Sequence, residues 1–427
     1  MITKIVSKNF EIENSHQLKI AKENGAYQSL QKAFKSPSYA IENEISYSGL
    51  RGKGGGGAPA GAKWCLATRA QEMDYTAQKS YLVVNADESE PGTFKDRQIL
   101  EYDPHLLLEG MILTCYAIGA HDAYIYIRGE YKFFSDRLNE AIEEAYEDGL
   151  LGEKVQGFNY RVDITVHRGA GAYICGEKSA LIESLEGNRG QPRLKPQHPS
   201  PEYFFGEPTL VNNVETIASV PFIINNGAKA YRAFGTEKSP GTLLFGLSGH
   251  INNPGIYEMA FGESMQEFID KIGGGIKGGK KLKAVIPGGA STPILSAAEV
   301  KEARLDYESM KELGSALGTG GMIIMDEDTC MVSALKNLLS FYHHESCGQC
   351  TPCREGTAWV DGIISNMLNK KARPDDIDLL SDIAKTMNGK TICVFAPAVA
   401  MVIDGFISRF RDEFEVYIEK AQELSHA

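Results

Sequence analysis

The chain has 427 residues, 43% of them hydrophobic, with a formal net charge of -12. That length allows two or three domains with cores of their own, and the acidity disfavours nucleic acid, whose phosphates are met by basic surfaces. Eight cysteines are too few for a disulfide scaffold at this length, and four of them, Cys347, Cys350, Cys353 and Cys393, gather towards the end of the chain, which points to metal ligation in a reducing compartment.

The longest apolar stretches, Leu106 to Ala120 and Val394 to Ile407, are broken by Glu109 and by Pro397 and Asp404. Neither supplies the roughly 18 residues of a spanning helix, so no direct membrane insertion is expected. The opening MITKIVSKNFEIENSHQ lacks the apolar run and cleavage site of a secretory signal, and the expected location is the cytoplasm.

Up to residue 235, short apolar runs alternate with helical patterns. Residues 81–84 and 123–127 predict strands, 134–146 an amphipathic helix, and the alternation of Val162, Ile164 and Val166 a further strand before a helix at 179–185. Strands alternating with helices predict an α/β layer fold. Over 236–327, predicted strands at 241–248, 283–286 and 322–325 surround one helix at 264–272, a small mixed β domain. From 328 to 427 the strand signals vanish. Val332, Leu335, Leu338, Leu339 and Tyr342 recur at helical spacing, and another helix is predicted at 377–387. The expectation is a multidomain α+β chain whose three parts pack together.

The most specific motif is Ser346-Cys-Gly-Gln-Cys-Thr-Pro-Cys-Arg354. Three cysteines spaced two residues apart, Cys347, Cys350 and Cys353, can point at one polynuclear centre, and Cys393 completes four thiolates from a second loop. Pro352 is expected to stiffen the loop. Zinc sites and buried free thiols compete with this reading, but zinc folds usually bring cysteines as two separated pairs. His343 and His344 precede the triplet, and four thiolates leave them no vacancy. Cys65, Cys115, Cys175 and Cys330 are read as ordinary thiols.

Four upstream segments carry binding chemistry. The stretch Ser48–Trp64 holds a formal GxGxxG at Gly52, Gly54 and Gly57, with Gly55 between them, and Arg51, Lys53 and Lys63 add positive charge. The strand a dinucleotide fold needs before such glycines is missing, so what remains is exposed backbone N–H for a phosphate or flat ring, or else a mobile surface loop. After the strand at 81–84 come Asn85, Asp87, Glu88 and Glu90, where open α/β sheets place ligands. The segment Gly169-Ala-Gly-Ala-Tyr-Ile-Cys-Gly-Glu177, with Tyr173, Gly176 and Glu177, feeds a helix N-terminus. Val211-Asn-Asn-Val-Glu-Thr216 opens another helix, with Asn212 expected as its cap and Asn213 and Thr216 as donors.

In order, the glycine loop, NADESEPGTFKDR, GAGAYICGE, VNNVET and SCGQCTPCREG resemble the flavin-containing F subunit of respiratory complex I, from about Tyr47 to the C-terminus. Relatives of that family include the diaphorase subunits of NAD-linked hydrogenases and formate dehydrogenases. The resemblance implies an N-terminal α/β FMN-binding domain, a small β-grasp domain and a helical bundle carrying a 4Fe-4S cluster. It implies FMN held at Gly52, Gly54, Lys63, Asn85, Asp87, Tyr173, Gly176, Asn212, Asn213 and Thr216, with Glu90 near the nicotinamide. NADH would pass a hydride to the flavin, which feeds the cluster singly and, through the complex, quinone. A thioredoxin-like 2Fe-2S subunit and a multi-cluster iron-sulfur subunit are the implied partners, in the peripheral arm of a membrane-bound complex.

The sequence departs from that pattern at the adenine site. Family members sandwich the adenine with phenylalanines, where this chain has Ala58, Leu66 and His198, and a glutamate that would hold the adenosine ribose is Lys178. Lost stacking removes about 1 kcal/mol per ring, and an acid-to-base change inverts the preference for a 2'-phosphate. Weakened NADH binding is therefore expected, with NADPH, ferredoxin or flavodoxin as alternative donors.

Overall fold

The computed structural model describes residues 3–73, 79–196 and 199–425. Its first half is built on a five-stranded sheet, β1 (Tyr81–Ala86), β2 (Asp122–Ile127), β3 (Asp163–Arg168), β4 (Glu202–Phe204) and β5 (Glu207–Asn213), in the order β3-β2-β1-β5-β4. All pairings are parallel except β4 with β5. The chain runs outward from β1 through β2 to β3, then crosses back to lay β5 on the other side of β1. The strand order therefore reverses between β1 and β5, and in open α/β sheets the ligand crevice opens at the carboxyl ends of the strands at such a reversal.

Alternation along β1 sends Leu82 and Val84 to one core and Val83 to another, all fully buried. Against the first face lies α2 (Pro104–Ile118), which follows α1 (Ala60–Met73). Nearly every residue of α2 is buried, as expected of a helix apolar all round. The side chain of Asp103 caps it through the Leu106 N–H, Pro104 occupies its first turn, and Gly119 at φ 70° ends it. The amphipathic α3 (Lys132–Glu147) covers the edge.

The middle of the chain forms a second sheet of β6 (Thr242–Gly249), β7 (Gly255–Ala260), β8 (Leu282–Ile286), β9 (Leu295–Ser296) and β10 (Gly321–Asp326), ordered β7-β6-β10-β8-β9. Only β6 with β10 is parallel. Sequence periodicity missed β7 and β9, and the helix predicted at 264–272 is one α-turn, Met265–Glu267, running into a π-turn over Phe268–Ile272. Past residue 328 come α6 (Met331–Glu345), α7 (Thr351–Leu368), α8 (Asp376–Met387) and α9 (Phe395–Ser425), the last kinked at Phe410; α4 (Lys178–Leu185) and α5 (Val214–Ala218) belong to the first half.

One apolar core joins the three parts. It gathers Val83, Tyr126 and Val211 from the first sheet, Ala284 and Ile286 from the second, and Leu335, Ile364, Leu380 and Phe406 from the four C-terminal helices. Burying so many large side chains, each worth roughly 1.5–3 kcal/mol, fixes the helices against the strand ends. No helix among the described residues is long and apolar enough to cross a membrane.

Candidate functional site

At the β1/β5 reversal Asn85 and Asn213 are register partners, and beside them opens a cavity of about 480 Å³. Three walls come from the segments singled out in the sequence: Gly54 to Gly56, Asn85 to Glu90, and Tyr173 to Glu177. Asn85 Nδ2 donates to the Gly176 carbonyl at 2.9 Å, tying two of these walls together.

The other walls were not anticipated. Loops of the second sheet contribute Gly288, Ser291, Thr292, Gly318 and Thr319, and the start of α9 contributes Phe395, Pro397 and Met401 together with Cys393 and Val394. A signal existed for the former, since Pro287-Gly-Gly-Ala-Ser-Thr292 and Gly318-Thr-Gly-Gly321 are glycine turns next to strands. Spacing alone does not say that these turns face the first sheet.

The residues suit a ligand with polar and anionic groups. Gly55 takes φ 112°, and a Cβ at Gly56 would meet nothing within 4 Å, so this stretch offers bare backbone to the cavity. Asp87 Oδ2 is buried with no partner among the described residues, and burial pushes that carboxyl up to about 7. Neither amide atom of buried Asn212 has a partner there either. Orphaned polar atoms of this kind are satisfied by a ligand or ordered water.

Several expected residues stand elsewhere. Gly52 and Gly57 lie behind the cavity against Tyr307, whose hydroxyl donates to the Gly52 carbonyl at 3.1 Å. Arg51 stacks on the Tyr307 ring and pairs with Glu308. The Lys53 ammonium is fully buried 3.2 Å from Glu215, which also meets Lys95 at 2.8 Å, and Lys95 holds Asp96 at 2.7 Å. Burial works against the Lys95 charge, but Asp96 and Glu215 raise its pKa nonetheless. Lys53 is thus a strut under the loop and adds no charge to the cavity.

The helix cap also differs from expectation. Asn212 is still in β5, because the strand runs one residue further, and Asn213 caps α5 by accepting from Glu215 N and Thr216 N. Asn213 Nδ2 donates to Asp96 at 2.6 Å, and the Thr216 hydroxyl accepts from Lys53 N at 2.9 Å, so both are already engaged by the protein. Lys63 donates to the Val211 carbonyl at 2.6 Å, and burial, aided by Lys178, lowers its ammonium to about 8. Glu88 is buried and holds Asp96 N at 2.7 Å, while Glu177 caps α4 through Ser179 N and Ala180 N. Pro352 sits in the first turn of α7, where its missing N–H is harmless, and not in a loop.

The four cysteines converge beside this cavity. Cys350 is the N-cap residue of α7 and Cys353 lies in its first turn, while Arg189 and Gln191 hold the Cys347 carbonyl at 3.1 and 3.3 Å. Burial and the neighbouring thiols Cys350, Cys393 and Cys347 push Cys353 up to about 12; burial likewise lifts Cys393 to about 11. Metal ligation takes the deprotonated thiolate, so a metal centre bound here would displace those protons. No three His, Cys, Asp or Glu side chains among the described residues are spaced around a single metal ion. Four thiols within one another's electrostatic reach fit a polynuclear centre that brings its own irons and sulfides.

Comparison with known families matches three stretches of the chain. Residues 45–222 match the Nuo51 FMN-binding domain, 243–324 the SLBB domain, and 333–417 the NADH-ubiquinone oxidoreductase-F iron-sulfur binding region. Over 412 residues the chain is 46% identical to the F subunit of NADH-quinone oxidoreductase from Rickettsia bellii, covering 96% of this chain and 98% of that protein. The chain belongs to this family of NADH-quinone oxidoreductase F subunits. An F subunit of the same enzyme from Rhizobium meliloti is 50% identical over 381 residues, 89% of this chain and 87% of the relative. Among solved structures, an NAD+-reducing [NiFe]-hydrogenase in the H2-reduced state superposes with a TM-score of 0.81 at 34% identity, over 90% of this chain and 64% of that one. Its air-oxidised form gives 0.83 at 32%, over 98% and 67%.

FMN and a 4Fe-4S cluster are therefore the cofactors, and the chain is a flavin-dependent oxidoreductase subunit of the NADH dehydrogenase type. As a subunit it works with other subunits of its complex.

Proposed function

We propose that the cavity at the β1/β5 reversal holds FMN, that Glu90 and Tyr173 face the nicotinamide of the donor, and that Cys347, Cys350, Cys353 and Cys393 ligate the cluster. The observation that carries this reading is Cys393, which belongs to the cysteine group and also lines the cavity. Donor side and electron exit then share one wall. FMN held there would supply hydride acceptance and one-electron release, chemistry that belongs to the cofactor.

The chain's own contribution is binding and exclusion. Gly54 to Gly56 offer N–H groups to the phosphate, the unpartnered Oδ2 of Asp87 offers a polar atom to the ring and its side chain, and Phe395 with Tyr173 shields the cluster side from water. Glu90, held by Tyr173, supplies a fixed carboxyl group opposite the donor. We divide the chain into an FMN domain over 1–235, a β-grasp domain over 236–327 and a cluster domain over 328–427. The thioredoxin-like 2Fe-2S subunit and the multi-cluster subunit are the proposed neighbours, in a cytoplasmic peripheral arm.

A second reading concerns the donor. Lys178, in the first turn of α4, is close enough to depress the buried Lys63, so two cations face one acid, Glu202, at 2.5 Å from Lys178. Such a spot favours an extra phosphate, as on NADPH, or the acidic face of a ferredoxin or flavodoxin. Ala58 is exposed, Leu66 is half-buried, and neither lines the cavity, while His198 lies outside the described residues. Stopped-flow bleaching of the FMN-loaded protein separates the two. Tight, rapid reduction by NADH alone supports NADH as donor, and a preference for NADPH or a reduced carrier protein supports the second reading.

A further inference from the structure

Glu90 belongs to the turn after β1, yet its carboxylate is gripped from elsewhere. The Ser291 N–H donates to Oε1 at 2.6 Å across 201 residues of sequence, and the Tyr173 hydroxyl donates to Oε2 at 2.5 Å. Ser291 lies in the loop after β8, and the loop is wired into both sheets. Gly289 N donates to the Gly321 carbonyl at 2.8 Å and Ala290 N to the Pro91 carbonyl at 3.0 Å. Thr292 Oγ1 takes the Gly288 N–H at 3.1 Å and donates to the Gly289 carbonyl at 2.9 Å. Gly289 stands at φ 95°, and a Cβ there would lie 2.5 Å from Glu90 Cγ. The glutamate thus packs on bare glycine backbone, a close approach that only this residue type permits.

We propose that the Gly288–Thr292 loop of the small β domain is the positioning element for Glu90, fixing where its carboxylate stands when the donor enters the cavity. This rests on the reading that Glu90 faces the donor. The groups around the carboxylate make the loop matter. Burial raises Glu90 above the ordinary carboxylate range, and the hydrogen bonds from Tyr173 and Ser291 offset only part of that rise. The titratable neighbours are Tyr173 and Tyr342, both raised well above the ordinary tyrosine range by burial and so neutral at working pH. No lysine or arginine figures among the influences on Glu90. Two donated hydrogen bonds are therefore what holds the carboxyl group in place, and one comes from the loop.

The test is a double-mutant cycle on the FMN- and cluster-loaded protein with Gly289→Ala, Glu90→Gln and both together. FMN content, kcat and KM between pH 6 and 9, and the flavin midpoint potential are the readouts. Gly289→Ala should keep its FMN, lose about tenfold in kcat/KM, more at pH 6 than at pH 9, and move the potential in the same direction as Glu90→Gln. In the double variant it should add less than about threefold, because the loop acts through the carboxylate. Losses that multiply, or a Gly289→Ala protein with parental kinetics and potential, overturn the proposal. A Glu90→Gln protein with parental behaviour overturns the reading of Glu90 and the proposal with it, whereas an effect of Glu90→Gln with multiplicative losses sinks the loop's role alone. Should Gly289→Ala fold poorly, Thr292→Val loosens the same loop without touching Glu90, and the same non-additivity decides.

Discussion

Asn85 and Asn213 sit side by side as register partners on parallel β1 and β5, and each spends its side chain tying the cavity rim together. Asn85 donates to Gly176, and Asn213 caps α5 while donating to Asp96. The sheet sets the rim, and the charged and glycine-rich groups standing on it set the behaviour of the cavity.

The buried ion group beneath the glycine loop should be intolerant of a single neutralisation. Glu215→Gln leaves Lys53 and Lys95 with one carboxylate, Asp96, between them, a loss of roughly 3–5 kcal/mol. A fall in the urea midpoint, with loss of bound FMN, is the expected result.

Asp87 should give the apoprotein a distinctive pH profile. Its folded carboxyl is raised to about 7, above the unfolded value, so the folded state binds the proton more tightly and stability falls as pH climbs from 4 through 7. At pH 8, Asp87→Asn should be more stable than the parent by roughly 1–2 kcal/mol, allowing for partial solvent access, and the gap should close by pH 4. Thermal melts of FMN-free protein at the two pH values check this.

Neighbouring glycines should behave differently. At Gly57, φ is 61° and a Cβ would lie 2.5 Å from the Tyr307 ring, so Gly57→Ala should cost about 1–3 kcal/mol and loosen the Arg51 stack. Gly56→Ala meets open space and should leave apoprotein stability within about 0.5 kcal/mol while weakening FMN binding. Melting and flavin fluorescence titration separate the two effects.

Much of this was legible in the residues and some was not. Val162, Ile164 and Val166 alternate because one face of β3 is buried, and the Cys347 triplet announces its chemistry by spacing alone. Strand β7 was hidden because Gly255–Ala260 mixes buried and half-exposed positions without clean alternation. Sequence alone puts the cap at Asn212, but β5 runs two residues beyond its apolar stretch and leaves that role to Asn213. Ser291 and Thr319 could not be placed at the site, since which glycine turn meets which sheet is decided by packing between parts far apart in sequence.

At Lys178, removing its partner should tune donor choice. Glu202→Gln frees the ammonium 2.5 Å away and should shift the NADPH-to-NADH ratio of kcat/KM toward NADPH by about tenfold, with Lys178→Glu shifting it the other way. Steady-state assays with both nucleotides at matched ionic strength read this directly.

The most direct test of the account is anaerobic quantitation of FMN, iron and sulfide in the parent and in Cys393→Ala, with the reduced cluster followed by electron paramagnetic resonance. The parent should hold one FMN and four iron atoms per chain, and the variant should keep its flavin, still bleached by donor, while losing the cluster signal and electron delivery onward. A variant with an intact cluster signal and undiminished electron delivery would contradict the placing of Cys393 at the shared wall.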